Sequence, residues 1–300
     1  MSLYDVIIIG GSFAGTSAAL QLGRARRKVL ILDKKSPRNR TAPASHGVLG
    51  FDGFSPLEIL ERSHKQLSTY SSVVTKNAEA IKVENLSGKF TIYTDDGAEY
   101  QSIKLILASG VVDQLPPLPG LKEKWGNTVV NCPYCHGYEF KDKRTGIVIL
   151  HPEQIDMALL LLEWSKNLVI FTNGVEIENE KLSELQVMGG TIEAGLVKGL
   201  EGVGEKIENV VLEGGKKVSL DVLYLNAPVK MSNSIALDLG CDIEETKNCS
   251  YLKVDHDGLT SIPGVFAAGD LADSCHSVSH AIGNGSRVGI ATHKSLVFSN

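Results

Sequence analysis

Two hydrophobic patterns alternate along this chain of 300 residues. Residues 4–9 form a continuous apolar and β-branched run, which is typical of a strand buried in a parallel sheet. Apolar residues at helical spacing follow over 16–22, and a second strand run covers 28–32. The chain therefore begins with a strand, a turn, a helix and a second strand, the repeating unit of an α/β fold.

An irregular segment interrupts this alternation at 38–52. So long a segment without secondary structure in a compact domain usually has a function. His46 lies in it and is a candidate to face a cofactor, with a solvated loop histidine as the alternative.

The helical pattern returns after this segment. Residues 56–70 predict an amphipathic helix, with Leu57, Leu60 and Leu67 on its apolar face. Short strands and turns are predicted over 72–106.

A second strand, turn and helix unit is predicted in the middle of the chain. Residues 145–150 form its first strand, 156–164 its helix and 168–171 its second strand. Glycine-rich hairpins over 188–215 and a strand at 222–225 complete the unit.

The length favours two domains, because a single core rarely grows to this size. The proline-rich stretch 114–120 is the expected boundary, and 226–230 is the return connection. After the return connection, a short strand ends in the small residues and carboxylate of 264–270. A helix with small residues near its start covers 277–296.

Composition excludes several classes of partner. The net charge of −5 argues against nucleic acid. The apolar runs are too short to span a bilayer, so no membrane association is predicted. The first residues lack the pattern of an export signal, and an odd count of five cysteines fits a reducing cytoplasm.

The turn after the first strand carries a nucleotide-binding pattern. Gly10 permits the tight turn, and Gly15 permits close packing of helix on strand. Ser12 replaces the middle glycine of the usual pattern but leaves the backbone N–H donors in place. Asp33 is placed to accept hydrogen bonds from a ribose hydroxyl. Because strand, helix and strand surround this turn, dinucleotide binding is favoured over a structural turn.

Cys132 and Cys135 are separated by two residues and can close a small disulfide ring. Pro133 suits the first position of a helix, which would bring both sulfurs near the positive end of its dipole and lower a thiol pKa. His136 is a candidate to carry protons, or else a hydrogen-bonded structural histidine. Half of a zinc site is the alternative for the cysteines, but no second paired-cysteine motif occurs in the sequence.

The second strand, turn and helix unit lacks a phosphate-binding turn. Its turn, 150–154, contains no glycine, and Pro152 has no N–H to donate. Glu153 would repel a phosphate by about 1 kcal/mol in bulk water and about 4 kcal/mol near a protein surface. No arginine occurs between Arg144 and Arg287 to bind a 2′-phosphate. This pattern predicts a module that keeps its fold and has lost its nucleotide site.

These pieces, in this order, resemble the low-molecular-weight thioredoxin reductase family of flavoproteins. The resemblance covers nearly the whole chain and is most specific at 10–15, 132–137 and 264–270. It implies an α/β fold with two Rossmann-like three-layer (ββα-type) domains.

The resemblance also implies how the domains are arranged. Residues 1–113 and 229–300 would form a discontinuous FAD-binding domain. Residues 114–228 would be an inserted module, similar to an NAD(P)H domain, that carries the redox-active cysteines. A homodimer is implied in the same way.

Carried over by position, the resemblance assigns residues to FAD. Gly10, Ser12 and Gly15 would hold the pyrophosphate, Asp33 the adenosine ribose and Asp270 the ribityl–phosphate region. The start of the last helix would meet the pyrimidine edge of the flavin through His276, Ser277 and Val278. Other positions expected to face FAD are Phe13, Ala14, Lys34, Arg40, His46, Gly110 and Gly269.

In the family, the two cysteines have different roles. Cys135 would be the sulfur nearest flavin C4a, and Cys132 would exchange with an outside thiol or disulfide. The family has an aspartate after the second cysteine, whereas this chain has His136. A histidine is better matched to accepting a proton from a thiol near neutral pH.

Other departures resemble a sub-branch of the family. The segment 40–46 and the pair His276 and His280 are similar to dithiol oxidases of disulfide-containing natural products, and to reductases that do not use NADPH. The two histidines are one helical turn apart, so metal binding is an alternative, but flavin contact or packing is favoured and no metal site is predicted.

The sequence therefore predicts an FAD-dependent thiol–disulfide oxidoreductase that acts through Cys132, Cys135 and His136 and does not use NADPH in the usual way. As a reductase it would supply a thioredoxin-like protein, with electrons from a donor such as ferredoxin. As an oxidase it would close a dithiol in a small molecule or protein and pass electrons to O2. A non-catalytic, flavin-bound redox sensor is the alternative from another class, and the intact cysteines and histidine argue against it.

Overall fold

The computed structural model describes residues 3–86, 88–246 and 249–298. It begins with the predicted unit: strand β1 (Leu3–Ile9), helix α1 (Phe13–Arg24) and strand β2 (Val29–Asp33). The two strands pair in parallel, with Ile8 opposite Ile31. Both strands are buried on both faces, which is why their sequences are continuous apolar runs.

The first part of the chain continues as α2 (Pro56–Leu67), β3 (Val73–Asn77), β4 (Ala80–Leu86), β5 (Lys89–Thr94), β6 (Glu99–Leu107) and β7 (Val111–Asp113). Helix α2 buries Pro56, Ile59, Leu60 and Leu67. Leu57 is 54% exposed, so its assignment to the apolar face was wrong. The buried face runs through Pro56, and the next residue points about 100° away from it around the helix.

A second group of elements follows: α3 (Leu121–Lys124), β8 (Val129–Val130), α4 (Pro133–His136), β9 (Thr145–Val148), α5 (Ile155–Leu161), β10 (Leu168–Phe171), α6 (Asn179–Val187), β11 (Thr191–Glu193), β12 (Val197–Glu201), β13 (Asn209–Leu212), β14 (Lys217–Ser219) and β15 (Val222–Leu225). A parallel sheet, here called the central sheet, has the order β11-β10-β9-β15-β8. Strands β12, β13 and β14 form a separate antiparallel sheet.

The predicted hairpins over 188–215 are correct only in part. Strands β12 and β13 pair as a hairpin, but β11 adds to the central sheet in parallel, with Thr191 opposite Val169. A period of two residues marks a strand, but it does not tell which neighbour that strand will pair with.

The chain ends with β16 (Val229–Met231), α7 (Ile235–Asp238), β17 (Ile243–Glu245), β18 (Ser250–Leu252), β19 (Val265–Ala267) and α8 (Val278–Val297). Strand β19 returns to pair with β6, so both ends of the chain build one seven-stranded sheet, here called the large sheet, with the order β3-β2-β1-β6-β5-β4 and β19 beside β6. Helix α8 packs closely on α1, because Gly285 and Gly289 have no side chain to meet the backbone of Ala14 and Ala18.

The two connections between the large and central sheets run side by side. Strand β7 pairs with β16 in antiparallel fashion, with Val112 opposite Lys230. The divisions at 113/114 and 228/229 fall at these strands, and we keep them as proposed domain boundaries. No helix in the described ranges is both long and apolar enough to cross a membrane.

Candidate active site

A cleft of about 340 Å³ collects the candidate residues from both sheets. One side is formed by the carboxyl ends of β1, β2, β6 and β19, and the other by residues of α4. The carboxyl edge of parallel strands is where doubly wound folds bind their ligands. The lining includes every candidate except Gly15: Gly10, Ser12, Phe13, Ala14, Asp33, Lys34, Arg40, His46, Gly110, Cys132, Cys135, His136, Gly269, Asp270, His276, Ser277 and Val278.

The glycine turn at the start of α1 is shaped for close approach by an anion. Gly10 has a φ of 103°, and a Cβ there would lie 2.6 Å from the carbonyl carbon of Ala108. Ser12 precedes the helix but makes no side-chain capping bond, which leaves the N–H groups of the first turn available. Gly15 lies behind the turn and packs against the Gly10 carbonyl, so its contribution is to the packing of the helix. This cradle and donor set fit the pyrophosphate of FAD.

The loop after β19 is held by Asn284, a residue that the sequence pattern did not indicate. Asn284 is buried on α8, and its Oδ1 accepts the N–H of Gly269 at 3.0 Å. A buried side-chain amide bonded to a backbone group in this way fixes the loop that carries Asp270. The one sequence feature that could have indicated a role for Asn284 is its position in a helix with small residues.

The cysteines lie on a helix of a single turn, as predicted. Cys132 is the N-cap of α4 and Pro133 occupies the first helical position. The Tyr134 ring meets the Trp164 ring edge to face, with centroids 5.6 Å apart. This contact anchors the short helix on the unit that contains the central sheet.

The two sulfurs have different acidities. The pKa of Cys132 is lowered to about 6, chiefly because the Cys135 thiol donates a hydrogen bond to it, with backbone N–H groups of Cys135 and Tyr134 also helping. The pKa of Cys135 is raised by that same hydrogen bond and by burial. The expectation of a thiol with a lowered pKa therefore holds for Cys132, and the hydrogen bond from Cys135 is its main cause. At neutral pH, the pair consists of a Cys132 thiolate and a Cys135 thiol.

His136 directly follows Cys135 at the end of α4 and is half-buried. Burial lowers its pKa, with Glu139 acting in the opposite direction and His46 in the same direction. His136 is therefore neutral at pH 7 and able to accept a proton. His46 is 20% exposed and lies between two carboxylates, 3.4 Å from Asp52 and 3.5 Å from Glu139. His46 is therefore not a fully solvated loop histidine.

Arg38 is a charged residue at the cleft that the sequence pattern did not indicate. Its Nε and Nη2 donate to Asp113 at 3.0 and 2.6 Å, and its Nη1 lies 2.8 Å from His276 Nδ1 and 3.4 Å from Asp270. These partners are 75, 238 and 232 residues away along the chain. Its place in the irregular segment 38–52 was a signal, but nothing in the sequence indicated its partners.

Comparison with known proteins agrees with this geometry. The model of the family described as pyridine nucleotide-disulphide oxidoreductase matches residues 4–150 and 178–285. The chain belongs to this family. It is a flavoprotein disulfide oxidoreductase of the thioredoxin reductase type, which confirms the predicted fold class and resemblance.

Individual relatives support this assignment. The thioredoxin reductase tcpT of Claviceps purpurea is 30% identical, over 95% of this chain and 91% of the relative. The crystal structure of an oxidoreductase from Agrobacterium tumefaciens superposes with a TM-score of 0.94 at 37% identity, covering 100% of both chains. A putative thioredoxin reductase from Bacillus anthracis superposes with a TM-score of 0.94 at 28% identity, over 99% of both chains.

The turn that follows β9 is bridged by one of the chain's own side chains. Residues 152–154 form a 3₁₀ turn, and the buried side chain of Gln154 bonds across it. Its Oε1 accepts the N–H of Leu150 at 2.9 Å, and its Nε2 donates to the carbonyl of Asn226 at 3.1 Å. A backbone donor at the end of β9 is thus already bonded to the protein's own side chain.

The two C-terminal histidines have separate partners. His276 contacts Arg38, whereas His280 contacts the Cys275 carbonyl at 3.0 Å and Asp273 at 3.4 Å. Within residues 3–86, 88–246 and 249–298, no group of three or more His, Cys, Asp and Glu side chains is arranged to hold a metal ion.

Proposed function

We propose that this chain is an FAD-dependent thiol–disulfide oxidoreductase in which the cysteine pair exchanges electrons with the thiol or disulfide substrate, in either direction, and NADPH is not used in the usual way. The partner would be a thioredoxin-like protein or a small dithiol or disulfide. In the reductase direction the electron donor would be a protein such as ferredoxin, and in the oxidase direction the acceptor would be O2.

The proposed roles follow from the acidities of the pair. The Cys132 thiolate attacks a substrate disulfide, or is released from a mixed disulfide when a substrate dithiol is oxidised. Cys135 keeps its proton until its sulfur reacts, and neutral His136 accepts that proton. FAD, when bound, would supply a two-electron acceptor and donor for the pair. The residues expected to hold it are those of the glycine turn, Asp33, Asp270 and the start of α8.

The closed turn at 150–154 is the observation that carries the proposal. A phosphate-binding turn needs backbone N–H groups that point at the ligand. Here the N–H of Leu150 is bonded to Gln154, and Pro152 has none. Unpairing Gln154 to admit a phosphate would leave buried polar groups unsatisfied, at a cost of about 1–3 kcal/mol each. This supports a module that no longer takes NADPH in the family's manner.

An anaerobic titration of the yellow holoprotein tests the proposal. NADPH, NADH and a dithiol are added separately, and the visible flavin absorbance is followed. We expect the dithiol to bleach the flavin and NADPH to leave it oxidised. Re-oxidation by air with peroxide formation would favour the oxidase direction, whereas re-oxidation only by a thioredoxin-like disulfide would favour the reductase.

Two variants identify the residues responsible. Cys135→Ser should abolish bleaching by dithiol, and Cys275→Ser, which changes an exposed cysteine outside the pair, should bleach like the wild type. Normal bleaching by Cys135→Ser would show that the assignment of Cys135 is wrong. A flavin that no thiol reduces in the wild type would favour the non-catalytic redox sensor.

A further inference from the structure

Arg38 joins three distant segments of the chain at the redox site. It donates two hydrogen bonds to Asp113 in β7 and contacts Asp270 after β19 and His276 before α8. Its side chain is only 19% exposed. A guanidinium is always protonated in proteins, so the cleft contains a permanent positive charge at this point.

The contact with His276 determines which ring nitrogen carries the proton. Arginine N–H groups only donate, so His276 Nδ1, at 2.8 Å from Nη1, must be the acceptor. The ring is then neutral, and its proton is on Nε2. Because His276 lines the cleft, it presents a donor nitrogen rather than an acceptor to whatever ligand it meets.

The same charge acts on the cysteines from the other side of the cleft. Arg38 belongs to the part of the chain that packs with the large sheet, whereas Cys132 and Cys135 belong to α4. The hydrogen bond between the sulfurs is the largest effect and lowers the pKa of Cys132 while raising that of Cys135. The positive charge of Arg38 is a smaller effect, and it lowers the pKa of both thiols. One guanidinium therefore contacts the predicted flavin side of the cleft and acts on the dithiol.

We propose that Arg38 is a positioning residue of the redox site, which fixes His276 as a neutral donor through Nε2 and places a positive charge opposite the Cys132 thiolate. This inference rests on the proposed function of the cysteine pair. The contrasting account is a purely structural anchor, in which Arg38 only ties Asp113 of the connecting strand β7 to the rest of the cleft.

The decisive readout is the pH dependence of Cys132 alkylation in the reduced holoprotein, followed by mass spectrometry of the Cys132 peptide. In the wild type the rate should rise through about pH 6. Arg38→Gln should move this midpoint to a higher pH, and a midpoint higher by about one pH unit means about tenfold less thiolate at any pH below it. Arg38→Lys keeps the charge and should lie between the two, because lysine cannot reproduce the fork of bonds.

Other groups that face the sulfurs are the same in all these variants. Cys135 supplies the thiol hydrogen bond, and Tyr224 of β15 has a pKa raised by burial, so it does not titrate in this range. His136 directly follows Cys135 along the chain, and Glu139 and His46 lie near it. A change of the midpoint in Arg38→Gln therefore reports the missing guanidinium.

The flavin midpoint potential, measured by dye equilibration, tests the effect through His276. Arg38→Gln and His276→Gln should change the potential in the same direction. The change caused by His276→Gln should be smaller in the Arg38→Gln background than in the wild type, because part of the arginine's effect is transmitted through the histidine. Arg24→Gln, on the exposed end of α1, is the control and should change neither the potential nor the alkylation midpoint.

Thermal unfolding and FAD content complete the comparison. The proposal is overturned if Arg38→Gln and Arg38→Lys lower the unfolding temperature while leaving the alkylation midpoint and flavin potential at their wild-type values. If Arg38→Gln does not fold, Arg38→Lys and His276→Gln decide in the same way. Failure of the proposed function is distinguishable, because alkylation of Cys132 involves no turnover and can be measured even if no dithiol reduces the flavin.

Discussion

The chain contains two strand–turn–helix units whose turns differ. At 10–15 the turn has a glycine with positive φ and leaves the first-turn N–H groups of α1 uncapped. At 150–154 the turn has no glycine, and Gln154 bonds across it. Strand pairing is parallel in both, so the sheet is preserved in the second unit as in the first. The fold depends on the apolar strands and not on the turn, so the turn residues can differ between the two units while the sheet is kept.

The largest effect should come from closing the open turn. Gly10→Ala places a Cβ against the backbone of Ala108 at a φ that side chains rarely adopt. Strain of about 1–3 kcal/mol should lower FAD affinity by about 5- to 150-fold, measured as flavin content and dissociation constant. Gly97→Ala is the matched control, because its φ is also positive at 80° but its Cβ would meet no atom within 4 Å. Equal loss of FAD in both variants would contradict this account of the turn.

The second-largest effect should come from removing the thiol of Cys135, which is expected to change the pKa of Cys132. Cys135→Ala removes the thiol that donates to Cys132, so the pKa of Cys132 should rise from about 6 toward the ordinary value of about 8.5. In the wild type, Cys132 reactivity should be lost as the pH falls below about 6, and in the variant it should be lost already near pH 8. Alkylation rates across this pH range measure it. An unchanged midpoint would show that backbone donors alone set the acidity.

A smaller effect is expected from opening the closed turn. Gln154→Ala leaves the Leu150 N–H and the Asn226 carbonyl without this partner, which should lower the free energy of unfolding by about 1–3 kcal/mol. It should not restore reduction by NADPH, since Pro152 and the missing glycines remain. Urea unfolding measures the first result, and Gln186→Ala, at an exposed position on α6, should stay within about 0.5 kcal/mol of the wild type. Reduction of the variant by NADPH would mean that Gln154 alone closes the site.

The smallest effects should appear at His136. Glu139→Gln should lower its pKa further, and His46→Gln should raise it, because these neighbours act in opposite directions. The folded-state pKa of His136 is below its ordinary value, so its contribution to stability is present above that ordinary value and is lost as the pH falls through the folded pKa. NMR titration of the His136 ring measures both changes. Changes of the same sign in both variants would contradict the assigned charges.

The local pattern of residues was sufficient to predict the individual helices and strands. The periodicity of 4–9 and 16–22 predicted β1 and α1, and Pro133 after Cys132 predicted the N-cap of α4. Each of these depends on neighbours within one or two turns of chain. The absence of glycine at 150–154 predicts a turn that binds no phosphate, and this stays a prediction.

Contacts between distant segments could not be predicted in the same way. The partners of Arg38 lie in β7 and beyond β19, and the side chain of Gln154 reaches the carbonyl of Asn226, 72 residues away. The parallel addition of β11 to the central sheet and the exposure of Leu57 also depend on which surfaces meet after folding. Short stretches of sequence do not show which distant segments will contact each other after folding.

One binding measurement tests the contrast between the two turns most directly. Hydrogen exchange of the FAD-loaded protein is recorded with and without saturating NADPH, and protection is followed in peptides covering 10–15 and 150–154. The account predicts one FAD per chain, protection of 10–15 by FAD, and no change at 150–154 on adding NADPH. Saturable protection of 150–154 by NADPH, accompanied by flavin reduction, would contradict it.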